Sequence, residues 1–315
     1  MRIVSLLPSA TEMVFALGLE DRLVGVTHEC DHPEAVRHLP RVTHTLIPTE
    51  TSSGQIDGLV RERLAEGRAL YTLDLPVLEE LEPDLILTQA LCDVCAVDER
   101  EVREAACHLP GHPDVLNLEP QTLGEVLTAL RKVGSATGIE ARADRVVRAL
   151  RDRVDRVTAR SERVEAPRRV VFLEWLDPPF SGGHWTPEII RLAGGEDLLG
   201  REGGASRTLT WEEIATSRAG LVFIAACGYS VERTLEDLPP LVRIPAWRAL
   251  PAVRSGEVHV TNGSHYFSRP GPRLVDSLEI LAHTLHPKLH PLPDSLPRPR
   301  RASLPRRAVE AAAGR

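Results

Sequence analysis

The 315-residue chain is 42% apolar and 26% charged, with a formal net charge of −7. A chain of this size and composition folds into a globular protein, with two domains favoured over one. Its acidity argues against nucleic acid as a main partner, because phosphate binding requires a basic face.

Taken from the start, Arg2–Leu6 reads as a buried strand and Ser9, Thr11 and Glu12 as the opening of a helix, with Ser9 as N-cap and Glu12 at capping-box spacing. Leu23–Val26 is a second strand. Gln55–Glu66 is an amphipathic helix with Ile56, Leu59, Val60 and Leu64 on one face, Val77–Leu81 is a short helix and Asp84–Thr88 an apolar strand. Such alternation predicts a parallel α/β sheet. From Gln121 to Val164 the period is helical, interrupted only at Gly124, Gly134 and Gly138. Ile139–Val164 would span roughly 39 Å at 1.5 Å per residue, and it is expected to be a rigid strut.

Alternation then resumes. Arg169–Glu174, Leu221–Ala226 and Val258–Thr261 read as strands. Pro187–Ala193, Trp211–Thr216 (capped by Thr210), Val231–Leu235 and Arg273–Leu285 read as helices. The expected organisation is an N-terminal α/β lobe over 1–120, linking helices over 121–167, a C-terminal α/β lobe over 168–290 and a disordered Pro/Arg-rich tail over 291–315. That tail holds six arginines against Asp294 and Glu310, so docking on an acidic partner is one reading of it. No apolar run reaches the roughly 18 residues of a membrane span. Pro8 interrupts the opening apolar stretch too early for the apolar core of a signal peptide, so a cytoplasmic location is expected.

Candidate chemistry gathers where strands end and helices begin, the ligand-facing edge of an open parallel sheet. Pro8 and Ser9 follow the first strand, His28, Glu29 and Cys30 the second, and Gln89, Cys92 and Cys95 the Asp84–Thr88 strand. Phe180, His184 and Trp185 lie in an aromatic, glycine-rich loop of the second lobe, and Tyr266, Phe267 and Arg269 precede the closing helix. Cys92 and Cys95 form a CxxC pair that fits half a zinc site or a redox dithiol, which Cys30 or His28 could complete. Cys107 and Cys227 read as small buried residues. His283, His286 and His290 stand at the end of the last helix, where a cation suits the macrodipole. GxSxG, P-loop, HExxH and GxGxxG motifs are absent from the sequence.

Several segments together resemble the iron-siderophore and vitamin B12 substrate-binding proteins. They are Arg2–Glu12, Leu17-Gly18, Leu23–Val26, Asp31-His32-Pro33, Leu78–Leu87, Val170–Leu173, Asp177–Gly182, Ile189–Asp197 and Phe267–Arg273. The resemblance spans about residues 1–287 and is nearest the cobalamin-binding branch, in a cytoplasmic form. It implies two Rossmann-like α/β lobes joined by one long backbone helix, the helical-backbone metal receptor type. It also implies cobalamin or a related metal-containing corrinoid or tetrapyrrole as ligand, held between the lobes, and ABC transporter components as partners. The segment Glu50–Asp74 is longer than in exported cobalamin binders. Phe180, Trp185, Tyr266 and Phe267 are expected to supply aromatic planes, Arg269 a charge, and His28, Cys30 or a CxxC thiol an axial ligand. The alternative reading is a metal- or thiol-dependent enzyme, or a zinc- or iron-binding protein, that uses Cys92, Cys95, Cys30 and His28 on the same scaffold.

Overall fold

The computed structural model describes residues 1–48, 51–89 and 99–302. They form two compact units: Met1–Pro120 with Gly124–Leu150, and Gln121–Leu123 with the chain from Arg151 onward.

In the N-terminal unit, β1 (Ile3–Ser5) leads into α1 (Pro8–Ala16) and β2 (Leu23–Val26). β3 (Thr43–Thr45), α2 (Ser53–Ala65), β4 (Tyr71–Leu73), α3 (Leu75–Leu81), β5 (Leu85–Thr88), α4 (Glu99–His108) and β6 (Asp114–Asn117) follow. The sheet order is β2-β1-β5-β6, every pair parallel. Parallel strands buried on both faces need near-continuous apolar runs, which Ile3-Val4 and Leu85-Ile86-Leu87 supply. Val4, Leu6, Val42, Leu78, Leu81, Ile86 and Val102 pack into one core against that sheet.

The helix after β1 starts earlier than expected. Pro8 takes the first helical position and the extended Leu7 is the N-cap, with no side-chain cap bond. Proline's fixed φ suits that position, so Ser9 is buried inside the helix and the Ser9–Glu12 capping box does not form. A capping box does stand at the next α-helix, α2, where Ser52 accepts from the Gln55 backbone N–H. Residues 51–74 include α2, and their β4 pairs antiparallel with the preceding β3.

The long helical stretch is two helices, α5 (Leu123–Ala136) and α6 (Glu140–Ser161), and the boundary between units falls within α6. Gly134, expected as a break, sits inside α5. A Cβ there would stand 2.3 Å from the Ala143 Cβ, so glycine allows the two helices to approach. Arg131 Nε donates to Asp144 Oδ1 (2.8 Å) across the same pair.

The C-terminal unit comprises β7 (Arg168–Leu176), β8 (Pro179–Ser181), α7 (Thr186–Leu192), β9 (Gly195–Asp197), α8 (Trp211–Thr216) and β10 (Leu221–Ile224). After them come α9 (Val231–Glu236), α10 (Pro245–Ala249), α11 (Pro251–Ser255), β11 (Val258–Val260), α12 (Leu274–Leu285) and β12 (Arg300–Arg301). Its sheet runs β12-β11-β10-β7-β8, with β9 also pairing β7. β11, β10, β7 and β9 are mutually parallel, whereas β8 and β12 join antiparallel. Val171, Leu173, Val222, Ile224, Val258, Val260 and Trp247 fill one face. Thr210 caps α8 as expected, and Glu213 completes its capping box. The second half of α6 is held by Arg153, whose guanidinium donates to both oxygens of Glu279 (3.0 and 2.7 Å) and to Asp276 Oδ1 (2.5 Å) on α12.

The chain beyond His290, expected to be disordered, contains a strand. Arg300 and Arg301 pair with Val260 and His259 of β11. The Arg301 guanidinium donates to the Ser255 and Gly256 carbonyls and to Glu257. The Pro/Arg-rich composition suggested no structure, but pairing to β11 and one multiply bonded arginine suffice at a sheet edge. The histidines at the end of α12 also depart from their expected role. His290 is 2% exposed, with Nε2 3.2 Å from Ser161 Oγ and Nδ1 buried without a partner among the described residues. Burial, reinforced by His286, Arg160 and His283, holds its pKa down to about 4, so it is neutral and not a cation.

Two outcomes follow from this packing. A Cβ at Gly263 would stand 2.0 Å from the Ala226 carbonyl oxygen and 2.6 Å from the Ala225 carbonyl carbon, so Gly263→Ala is expected to cost about 2 kcal/mol. Calorimetry should show that loss as a midpoint roughly 4–8 °C lower. The neutral His290 binds a proton more readily once unfolded, where its pKa is 6.5. Stability is therefore expected to be full above pH 6.5 and to fall as pH drops toward 4. Urea titrations across that window should show the loss, and the His290→Asn variant should flatten it.

Candidate functional site

Because the strands of each sheet are mainly parallel, their exits converge on one edge. In the N-terminal unit β1 leaves into Leu6-Leu7-Pro8, β2 into Thr27-His28, and β5 into Gln89. Hydroxyls link the first two exits. Ser5 Oγ donates to the Leu7 carbonyl (2.9 Å), Thr11 Oγ1 donates to Ser5 Oγ (2.9 Å), and Thr11 Oγ1 lies 3.1 Å from the Cys30 sulfur. Cys30 is therefore interior, at 1% exposure. Its expected role as a metal ligand at the edge does not match this placement. Pro8 is half-buried, Ser9 buried and Glu29 exposed.

His28 is half-buried and closely held. Its backbone N–H donates to Thr43 Oγ1 (3.1 Å), and its Nδ1 lies 2.7 Å from the same oxygen. Thr43 Oγ1 in turn donates to Thr27 Oγ1 (2.8 Å). The ring leans on Tyr71, centroid to centroid 5.4 Å. Burial, with His44 and Arg41 adding to it, lowers the His28 pKa. Three neighbouring polar atoms are treated differently: Thr88 Oγ1, Gln89 Oε1 and Asn117 Oδ1, at the exits of β5 and β6, are buried with no hydrogen-bond partner among the described residues. Cys92 and Cys95 lie outside the described residues. Among those described, no group of three or more His, Cys, Asp or Glu side chains is placed to hold a metal ion. Cys107 and Cys227, expected to be buried, are both exposed.

In the C-terminal unit the edge is aromatic. Trp175, near the end of β7, packs on Tyr229 after β10 (centroids 4.9 Å apart) and donates Nε1–H to the Asp177 carbonyl. The Arg233 guanidinium carbon lies 4.6 Å from the centre of the Tyr229 ring. Arg233 also donates to Asp237 Oδ1 (2.7 Å), which fixes it there. Phe180 on β8 pairs with Trp175 in register. Tyr266 is half-buried with Arg273 5.8 Å from its ring centre, and Arg269 donates to Ser264 Oγ (3.3 Å). His184 takes a positive φ of 52° and its Nδ1–H donates to Gln121 Oε1 (3.1 Å); burial lowers its pKa.

Two expected edge residues belong to the interior. Trp185 is 5% exposed and donates Nε1–H to the Phe267 carbonyl (2.5 Å). Phe267, 3% exposed, packs on Phe172 and Phe223 at 5.1 and 5.3 Å. These rings hold the loop before α12 and present no free plane. Sequence reasoning missed Tyr229 and Arg233. Tyr229 lies just after an apolar strand and Arg233 four residues further on, the spacing that brings side chains together on a helix.

Strand exits gathered on one edge, in two α/β units that share one long helix, are the architecture of the two-lobed periplasmic binding proteins. A family model described as "Periplasmic binding protein" matches residues 3–264, and the chain belongs to that family. It is 21% identical over 287 residues to a vitamin B12-binding protein of Vibrio parahaemolyticus, covering 90% of this chain and 88% of the relative. It is 22% identical over 293 residues to an uncharacterized ABC transporter substrate-binding lipoprotein of Bacillus subtilis, covering 91% and 80%. A periplasmic heme-binding protein of Pseudomonas aeruginosa shares the fold, with a TM-score of 0.72, 22% identity and coverage of 96% and 99%.

These relatives overturn the cytoplasmic expectation: a lipoprotein and periplasmic binders point to an extracytoplasmic location. The expectation rested on the first few residues alone. No helix among the described residues is long and apolar enough to cross a membrane.

The interior and edge aromatics should separate on mutation. Phe267→Ala is expected to cost about 3–5 kcal/mol by leaving a cavity, whereas Trp175→Ala should cost much less. Urea denaturation of the two variants checks this directly.

Proposed function

We propose that this protein binds a metal tetrapyrrole, of the cobalamin or haem class, and passes it to the membrane components of an ABC importer. The observation that carries the reading is the half-buried Trp175 at the carboxyl edge of the C-terminal sheet, backed by the buried Tyr229, against whose ring Arg233 stands. A corrin or porphyrin offers a wide flat face to aromatic rings, and its peripheral amides or carboxylates seek donors such as Arg233, Arg269 and Arg273. His28 and the unpartnered Gln89 Oε1 at the N-terminal sheet edge supply polar groups of the kind such a ligand can satisfy. Pro8, Phe180, His184 and Tyr266 complete the proposed contact residues. The vitamin B12-binding and heme-binding relatives support the same ligand class.

The test is a titration followed by absorption and tryptophan fluorescence, with hydroxocobalamin in one series and haemin in the other. One of the two is expected to saturate at one equivalent. Trp175→Ala should weaken it about tenfold, the loss of one aromatic contact worth roughly 1.4 kcal/mol. Absence of saturable binding in both series would overturn the reading.

A further inference from the structure

The stretch after His290 ends as a rim of arginines on the outer edge of the C-terminal sheet. Arg300 and Arg301 pair with Val260 and His259 of β11, and the Ala302 N–H donates to the Val258 carbonyl (2.9 Å), so this part of the chain is fixed in place. The two arginines of β12 are used differently. Arg301 gives its charge to Glu257 (2.6 Å), which Arg168 also neutralises from β7 (3.0 Å). Arg300 is exposed and has no hydrogen-bond or ion-pair partner for its side chain among the described residues, and the same holds for Arg298. Arg298 lies between Pro297 and Pro299. A residue before proline is held extended, and alternate residues of an extended chain share a side about 7 Å apart. Arg298 and Arg300 therefore place two free guanidiniums side by side. Arg254, exposed on α11, adds a third. Its Nε donates to the Arg248 carbonyl and no carboxylate pairs with it among the described residues, while the next residue, Ser255, accepts from Arg301.

We infer that this rim is a docking surface for anionic phospholipid headgroups. The inference goes beyond tetrapyrrole binding and does not depend on it. Charge complementarity carries it. Residues 291–315 hold six arginines against Asp294 and Glu310, in a chain whose net charge is −7. A negatively charged sheet of lipid therefore repels the body of the protein and attracts this rim, which sets a single orientation. The guanidinium fork matches phosphate oxygens two at a time, so exposed and unpaired arginines suit a layer of phosphates. Headgroups in a fluid bilayer move to meet arginines wherever they stand, so the rim needs no carved pocket. A cluster of four to eight basic residues is the size that holds a segment on an anionic membrane. Arg254, Arg298 and Arg300 are three of them, and Arg306, Arg307 and Arg315 follow in the sequence. Arg301 is the positioning residue, since its bonds to Glu257 and to the Ser255 carbonyl hold the strand that carries Arg300.

Vesicle flotation with the full chain tests this, using phosphatidylglycerol mixed with phosphatidylcholine in one series and phosphatidylcholine alone in the other. At low ionic strength (about 0.01 M, where the Debye length is about 30 Å) the protein should float with the anionic vesicles only. It should be released near 1 M salt, where that length shrinks to about 3 Å. The double variant Arg298→Gln/Arg300→Gln should bind the anionic vesicles roughly 25-fold more weakly, about fivefold for each arginine. Arg298→Lys/Arg300→Lys keeps the charge and should bind nearly as well as wild type. Hydrogen-exchange protection of the Ala302 amide verifies that β12 stays paired in each variant. Equal binding to both vesicle types, no binding to either, or anionic binding that is unchanged in the glutamine variant would overturn the inference. Tighter binding to polyglutamate than to the anionic vesicles would also overturn it, by pointing to an acidic protein as the partner. The vesicles carry no tetrapyrrole, so each of these outcomes leaves the proposed function standing.

Discussion

Parallel strand pairing is the constraint on which the rest of this molecule depends. A parallel sheet buried on both faces has to be built from continuous apolar strands, and runs such as Val170–Leu173 and Leu221–Ile224 leave no room for functional groups within the sheet. The candidate functional side chains are therefore found mainly at the ends of the strands. Because the strands share a direction, those at the carboxyl end collect on one edge in each unit. His28 and Gln89 in one unit, and Trp175, Tyr229 and Tyr266 in the other, owe their placement to this rule and not to any local motif.

The polar groups at the N-terminal edge show how that placement is financed unevenly. Around β1 and β2 the hydroxyls of Ser5, Thr11, Thr27 and Thr43 bond one another and His28. At the exits of β5 and β6, Thr88, Gln89 and Asn117 each bury a polar atom with no partner among the described residues. Leaving such an atom unpaired costs about 1–3 kcal/mol. The first group therefore rigidifies a single imidazole, while the second leaves hydrogen-bonding capacity unspent on the same edge.

Much of the fold was legible in the sequence because its signals are strong and local. Leu23–Val26 and the Thr210 cap are found where they were read, and the family motifs spread over most of the chain pointed to two α/β units. The misreadings have physical causes. Pro8 starts α1 earlier than a rule based on Ser9 allows. β3, β4 and β12 are two or three residues long and owe their existence to pairing across the chain, which no local pattern records. The site was less legible. Trp185 and Phe267 carry the right residue types in the right loops, yet both rings turn inward to the Phe172–Phe223 layer. Trp175, half-buried, stays at the edge, backed by Tyr229, which is itself buried. Whether an aromatic ring faces in or out is decided by tertiary packing.

The short strand β12 has a consequence for solubility. Parallel sheets end in strands whose outer row of N–H and C=O groups is a template for another chain. β11 would be such an edge, and Arg300–Arg301 covers it with two residues that also place positive charge along the rim. The two arginines thus leave charge, in place of a bare β11 edge, where a second chain would otherwise pair. Replacing them with a neutral, β-prone sequence would leave the fold in place and turn its border adhesive.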